Sequence, residues 1–116
     1  MKRHPALITL SRDHHHALSL GNRIRQQPDA DHSAAIAAQR DELLQHFAEE
    51  EQQFASFWPQ LQRPDLQQRF NADHAALRQL LQPPFQAALL ADTLIAHVRF
   101  EERELFAALQ YLLPTP

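Results

Sequence analysis

Residues 94–106 have the sequence LIAHVRFEERELF, in which His97 and Glu101 stand four positions apart among good helix formers. An α-helix has 3.6 residues per turn, so side chains four positions apart lie on one face, about 6 Å apart along the axis. Leu94 and Leu105 continue that face on either side of the pair. The stretch therefore predicts a helix that turns a histidine and a carboxylate toward an apolar core.

The same spacing recurs in residues 43–54, LLQHFAEEEQQF, where His46 precedes Glu50 by four positions. Leu43 and Phe54 flank this pair on the same face. Two helices are therefore predicted to carry the same inward-facing pair. Other polar residues in these regions lie off the two stripes, and they are predicted to face solvent: His32, Glu49, Glu51, Glu102, Arg103 and Glu104.

Prolines divide the chain into four long blocks that contain no proline. Proline inside a helix costs roughly 3 kcal/mol, so prolines are expected at helix ends. Ala, Leu, Gln, Glu and Arg, which are good helix formers, fill the blocks, and no run of β-branched residues favours a strand. An all-α fold with four helices is therefore predicted, over residues 6–27, 29–58, 65–82 and 85–113.

The length of 116 residues is typical of one domain, and a single domain over residues 1–116 is expected. The chain contains no cysteine, which excludes disulfide scaffolds, thiolate metal sites and cysteine nucleophiles. Histidine and carboxylate remain as metal ligands. The net charge of −3 is spread over mixed acidic and basic residues, and without a basic stripe nucleic acid is not an expected partner.

The first ten residues, MKRHPALITL, begin with a basic pair but do not form the core of a signal peptide, because Pro5 and Thr9 interrupt a short apolar run. No apolar segment approaches the roughly eighteen residues that a membrane span needs. We therefore expect a soluble cytoplasmic protein with no membrane partner.

The first block carries three consecutive histidines, of which His14 is predicted to face the core. Consecutive residues turn by about 100° around a helix, so the three cannot all point inward. Leu10 precedes His14 by four positions and Ile24 follows it by ten, on one apolar stripe. His15 is the alternative, because Leu18 follows it by three, and the other two histidines are otherwise interpreted as a polar surface patch.

The third block repeats this pattern, with His74 between Phe70 and Leu77. An aspartate precedes the central histidine in both blocks, at Asp13 and Asp73, but within a helix neither is directed at the histidine beside it. Neither aspartate is therefore predicted to orient a ligand. The two halves of the chain are similar, since each offers a histidine on its first helix and an H-x-x-x-E pair on its second.

Two buried glutamates, each one turn from a histidine, require compensation. Burying an isolated carboxylate costs several kcal/mol unless it is paired or bound to a cation. Four imidazoles and two carboxylates exceed the ligand set of one tetrahedral zinc and suit two metals that share carboxylate bridges. The candidate metal ligands are His14, His46, Glu50, His74, His97 and Glu101.

The four histidine motifs together resemble the hemerythrin-like family, the HHE cation-binding domains. They are DHHHAL around His14, HFAEEEQQF from His46, ADHAALRQL around His74 and HVRFEERELF from His97. The resemblance implies an up-down-up-down four-helix bundle with a non-haem di-iron centre, bridged by an oxo or hydroxo group and by carboxylates. It further implies that the histidines are terminal ligands and that Glu50 and Glu101 are bridges. The implied function is binding or sensing of dioxygen or a related small molecule, or iron handling.

The chain departs from the oxygen-carrying members of that family at two positions. Arg78 stands where they have a second histidine on the third helix, and Glu102 stands where they have an aspartate on the fourth. With one histidine fewer, the metal site would have room for other small molecules. One alternative is therefore an enzyme that acts on peroxide or nitrogen oxides and receives electrons from a donor protein or molecule. A second alternative is a helical binding module that uses zinc or no metal and acts through a protein partner. No Ser-His-Asp arrangement or glycine-rich phosphate loop is visible, so classical catalysis is not predicted.

Overall fold

Helices make up most of the structure, a computed structural model that describes residues 3–113. The first two and the last three residues of the predicted 1–116 domain lie outside this range. The described residues contain no strand, so the prediction of an all-α chain is confirmed for them. The elements in chain order are α1 (Pro5–Gln26), α2 (Ser33–Phe54), α3 (Trp58–Leu61), α4 (Pro64–Leu80), α5 (Ala87–Phe100), a π-helical turn (Glu101–Leu105) and α6 (Phe106–Gln110).

Prolines lie at the starts of three helices. Helix α1 begins at Pro5, α4 begins at Pro64, and Pro59 lies in the first turn of α3. Proline suits this location because its missing N–H would have no partner in the first turn of a helix. The block predicted over residues 29–58 is shorter than expected, since α2 ends at Phe54 and the one-turn α3 follows it.

Residues 87–110 form one continuous helical segment with a π-helical turn inside it. In that turn the N–H of Phe106 donates to the carbonyl of Glu101, five residues back, instead of the usual four. Single π turns inside α-helices are frequent at functional sites. This one begins at a predicted ligand residue.

Buried apolar side chains form two clusters with a polar layer between them. Along α4 the chain passes from Phe70 in one cluster, through His74, to Leu77 in the other, and α1 repeats this order around His14. His14 and His74 therefore lie between two buried apolar regions. None of the helices in the described part of the chain has the length and apolar character needed to cross a membrane.

Helix α1 packs against α2 and α5, and α5 also packs against α4. Helices α1 and α5 approach closely at Gly21, where a Cβ atom would lie 2.7 Å from Cγ1 of Ile95. Two carbon atoms that are not bonded do not normally come so near each other. The only glycine of the chain therefore lies where the two halves of the molecule are in tight contact.

Candidate metal centre

The polar layer brings together all six of the predicted ligand residues, each of which has at most 7% of its surface exposed. They form two groups, and within each group the candidate ligand atoms lie within 4.8 Å of one another. The first position comprises His14 and His46 with the two glutamates, and the second position comprises His74 and His97 with the same two glutamates. Both carboxylates are therefore shared between the positions.

All four imidazoles turn their Nε2 atoms toward the shared glutamates. The Nε2-to-oxygen distances are 3.0 Å for His14 and 3.1 Å for His97, both to Glu101, and 3.4 Å for His46 and 3.3 Å for His74, both to Glu50. Each glutamate therefore contacts histidines of both positions, and Glu50 also lies 3.9 Å from Nε2 of His14. This placement is the one expected of a carboxylate shared by two cations.

The opposite ring nitrogen, Nδ1, of each histidine contacts another carboxylate further from the centre. The Nδ1 distances are 2.8 Å from His14 to Glu102, 3.3 Å from His46 to Asp13, 2.7 Å from His74 to Glu51 and 2.9 Å from His97 to Asp73. An ionised carboxylate only accepts hydrogen bonds, so each Nδ1–H donates. We term these four acids the outer carboxylates, and their effect is to direct every Nε2 atom inward.

The predictions for the outer carboxylates are wrong. Glu51 and Glu102 are not free in solvent, and Asp13 and Asp73 do orient histidines. Each acid contacts a histidine on a different helix, and not the one beside it in sequence. Helical periodicity describes neighbours on one helix only, so it could not find these pairs. The sequence did contain one signal for them, because the acids occupy equivalent places in the two halves. An aspartate precedes the histidine of each first helix by one position, and a glutamate follows the histidine of each second helix by five.

Two further histidine predictions have opposite outcomes. Helix α1 turns His14 into the polar layer and leaves His15 exposed, as preferred from the apolar stripe. In contrast, His32 is not in solvent but only 5% exposed, because its Nε2–H donates to the carbonyl of Gln27 at 2.7 Å in the loop before α2. A bend of the loop buries this side chain, and it is not a member of either ligand group.

Arg78 binds an outer carboxylate and does not enter the polar layer. Its guanidinium donates to both oxygens of Glu51, at 2.6 and 2.9 Å, and these hydrogen bonds lower the pKa of Glu51. Arg69, nine residues earlier on α4, donates to Asp73 at 2.9 Å. Helix α4 therefore supplies a cation to each of the two carboxylates that support the second position.

Protons on the histidines balance part of the buried negative charge when no cation is bound. Burial lowers the pKa of His14, but hydrogen bonds to Glu101 and Glu102 outweigh this effect and raise it to about 9. Burial also lowers the pKa of His97, whereas the charge of Glu101 and the hydrogen bond to Asp73 raise it to about 10. His14 and His97 therefore favour the protonated form at neutral pH. Burial lowers the pKa of His46 as well, but the close contact with Glu50 and the charge of Glu50 outweigh this effect and raise it.

The pKa values of the two shared glutamates shift in opposite directions. Burial acts to raise the pKa of Glu101, but the charge of His97 and the hydrogen bond from His14 hold it well below its usual range. Burial and the negative charge of Glu101 together raise the pKa of Glu50. Glu50 is therefore the less well compensated of the two carboxylates.

Several buried polar atoms of the layer form no hydrogen bond of acceptable geometry with the described residues. They include both oxygens of Glu50, Oε2 of Glu101, and Nε2 of His46, His74 and His97. Buried polar atoms normally find partners, so a set of six at one place marks this layer as a candidate ligand-binding site. Imidazole and carboxylate donors suit iron, zinc and related divalent cations, and these residues could hold a metal.

A cavity of about 160 Å³ lies beside the ligand groups, between α1, α2 and α5. It reaches His14 and His46 of the first position and also His97 and Glu101, and exposed polar residues such as Glu42 and Gln45 line its outer part. Its inner wall is apolar and includes Leu43, Phe47, Leu94 and Val98. Both ligand groups are therefore accessible to a small molecule from this side of the molecule.

Comparisons of the chain with protein families, with curated proteins and with solved structures found no match.

Proposed function

We propose that this protein is a hemerythrin-like metalloprotein, an up-down-up-down four-helix bundle with a non-haem di-iron centre that binds or senses dioxygen or a related small molecule. The observation that carries the proposal is that Glu50 and Glu101 each belong to both ligand groups. A shared buried carboxylate suits a pair of cations better than one, because its charge can be divided between them. The resemblance of the histidine motifs to the HHE domains favours iron.

The protein residues have distinct roles in this proposal. Each position receives two imidazole Nε2 atoms, and Glu50 and Glu101 supply the negative charge that the cations neutralise. The outer carboxylates hold each Nδ1–H, which keeps the Nε2 lone pairs directed inward. The apolar clusters exclude water and so strengthen the electrostatic contacts in the layer. When bound, an iron pair supplies reversible redox chemistry and a coordination position for a small ligand.

The cavity sets a size limit on that ligand. Its volume of about 160 Å³ is well below the roughly 300 Å³ at which pockets for drug-sized ligands begin. Its apolar inner wall favours a small uncharged molecule over a hydrated ion. Dioxygen, nitric oxide and hydrogen peroxide are small enough, whereas a large organic substrate is not.

Metal analysis of untagged protein loaded with iron in air tests the proposal. We expect about two irons per chain, as in carboxylate-bridged bundles, and an absorption band in the near ultraviolet. His14→Ala should lower the iron content, whereas the matched control His15→Ala should not, because His15 is adjacent but exposed. Folded protein without iron, or equal iron loss in both variants by this assay, would contradict the di-iron centre.

Turnover of peroxide or nitrogen oxides at the same centre is a second candidate function. The cavity favours it, because it leads from the surface to His14 and His46. Hydrogen peroxide consumption by the iron-loaded protein, compared with His97→Ala, tests this enzyme activity. Faster consumption by the wild-type protein would support the activity, and equal rates would exclude it.

A binding module without redox chemistry is a third candidate. The protonated pairs of His14 and His97 with Glu101 favour it, because they compensate part of the layer without a metal. Metal content of protein purified from cells grown with both iron and zinc separates the candidates. Zinc or no metal in folded protein would favour the module, and iron would favour the di-iron centre.

A further inference from the structure

The outer carboxylates of the second position are held firmly on both sides. Glu51 lies 2.7 Å from its histidine and receives two hydrogen bonds from Arg78. Asp73 lies 2.9 Å from its histidine and receives a hydrogen bond from Arg69. Each acid is therefore fixed between a cation and the imidazole that it orients.

The outer carboxylates of the first position are held more loosely. The side chain of Asp13 is 41% exposed and lies 3.3 Å from Nδ1 of His46, and no arginine or lysine among residues 3–113 contacts it. Glu102 is 2.8 Å from its histidine, but its other contacts are longer, at 3.2 Å from Ser11 and 3.4 Å from Arg3. One of the two supports of the first position thus has no arginine or lysine partner within the described part of the chain.

We propose that this difference makes the second position the tighter of the two metal positions, so that His74 and His97 bind the first cation. The inference rests on the proposed two-metal site and adds an order of filling to it. Arg69 and Arg78 act as positioning residues through Asp73 and Glu51. Because these acids are already fixed, His74 and His97 lose less conformational freedom when a metal binds.

The positive charge of the arginines opposes this effect but is the weaker influence. The side chains of Arg69 and Arg78 are 44% and 40% exposed, so solvent and salt screen their repulsion of a buried cation. Each guanidinium also lies against a carboxylate of opposite charge. The orientation of the imidazoles therefore decides the order.

Titration of the metal-free full-length protein with Zn²⁺ alone tests the order of filling. Nitrogen-15 NMR of the histidine rings identifies which Nε2 atoms bind. The first equivalent should shift the Nε2 signals of His74 and His97, and the second should shift those of His14 and His46. Shifts of the first-position histidines first, or of all four together, would overturn the inference.

The double variant Arg69→Gln with Arg78→Gln tests the role of the arginines. We expect Zn²⁺ affinity of the second position to fall on the order of 10-fold, the lower end of the range for residues that support ligands, with the first position unchanged. Arg78→Lys with Arg69→Lys should restore part of the loss. An unchanged or stronger second position in the glutamine variant would overturn the inference.

Two controls separate positioning from folding. Arg25→Gln removes an exposed ion pair between Arg25 and Asp92, and it should leave both affinities unchanged. If the double arginine variant does not fold by circular dichroism, Glu51→Gln takes its place, because it keeps an acceptor for the histidine but loses the ionic bond to Arg78. Glu51→Gln should weaken the second position only, and equal weakening of both positions would count against the inference.

The order of zinc filling and the iron content are independent results. The predicted zinc order without iron uptake would support the inference about the arginines and contradict the di-iron function. Two irons per chain with the opposite zinc order would support the di-iron function and overturn the inference.

Discussion

Each half of the chain contributes two histidines and one glutamate to the polar layer, but the outer carboxylates that contact these histidines are held differently in the two positions. The inner residues are His14, His46 and Glu50 in the first half and His74, His97 and Glu101 in the second. In each half an aspartate of the first helix contacts the histidine of the second helix. The outer glutamate of each half instead contacts a histidine of the other half. These four contacts link the long helices in a closed ring.

The halves differ in charge around this ring. Both outer carboxylates of the second position contact an arginine of α4. In the first position Glu102 lies 3.4 Å from Arg3, and Asp13 contacts no arginine or lysine of residues 3–113. The same arrangement of inner histidines and glutamates therefore occurs both where arginines bind the two outer carboxylates closely and where this support is weaker. Burial and helix spacing place the inner residues, but partly exposed neighbours determine how firmly they are held.

The halves also differ in helix geometry. Helix α2 is regular past Glu50 and ends at Phe54, whereas the equivalent helix of the second half has a π turn from Glu101 and continues to Gln110. The extension adds Phe106 and Leu109 to the apolar cluster below the layer. The second half therefore supplies more of the packing on that side of the site.

Replacing each shared glutamate in turn should give the largest contrast between the halves. Glu101→Gln is expected to destabilise the metal-free protein by about 3 kcal/mol, because it removes the carboxylate that pairs with protonated His14 and His97. Glu50→Gln should cost less than about 1 kcal/mol, since burial and the charge of Glu101 raise the pKa of Glu50 and so make its ionised form the less stabilised of the two. Urea unfolding at pH 7 in the presence of a chelator measures the loss of unfolding free energy in both variants. Equal losses would show that the two glutamates share the charge evenly.

Gly21→Val should break the close contact between the halves. Overpacking of a tight contact typically costs about 2 kcal/mol, and a Cβ at this position meets Ile95 of α5 at 2.7 Å. The control Ser19→Val introduces the same β-branched side chain at an exposed position of α1 and should cost under about 0.7 kcal/mol. Urea unfolding of both variants compares them, and similar losses would contradict the assigned contact.

Metal affinity should rise with pH in both positions, because each contains a protonated histidine. A metal binds only neutral imidazole, so binding releases a proton from His14 and one from His97. Affinity should increase roughly tenfold per pH unit for each proton released. The increase should level off near the pKa of about 9 for His14 and about 10 for His97. Zn²⁺ calorimetry in buffers of different ionisation enthalpy counts the protons, and a pH-independent affinity would contradict the prediction.

The arginine contacts should contribute least to stability, in both halves. The side chains of Arg78 and Glu51 are 40% and 37% exposed, so Arg78→Gln should destabilise the metal-free protein by no more than about 1 kcal/mol. Arg3→Gln should cost less, since Arg3 lies 3.4 Å from Glu102 and the geometry is poorer. Urea unfolding compares the variants. A loss for Arg78→Gln as large as that for Glu101→Gln would mean that the pair has a larger structural role than its exposure indicates.

Sequence periodicity predicted the helices and their inward faces well. His14, Glu50 and Glu101 lie in the layer because each follows or precedes apolar residues by three or four positions, and that relation depends only on the local helix. The same rule predicted that Glu51 faces solvent, because Glu51 lies off the apolar stripe of α2. It could not show that this partly exposed carboxylate contacts a histidine. Its partner is a histidine of α4, and nothing within α2 indicates that α4 lies there.

Local spacing was thus sufficient to identify the six inner residues, because the α-helix has a fixed period and burial follows the apolar stripe. Tertiary structure alone decided which carboxylates orient which histidines, since every such pair joins two helices. It also decided that Arg78 binds Glu51 and that His32 is buried by its loop. These contacts depend on how the helices are placed relative to one another, and this placement is not encoded in the period of any single helix.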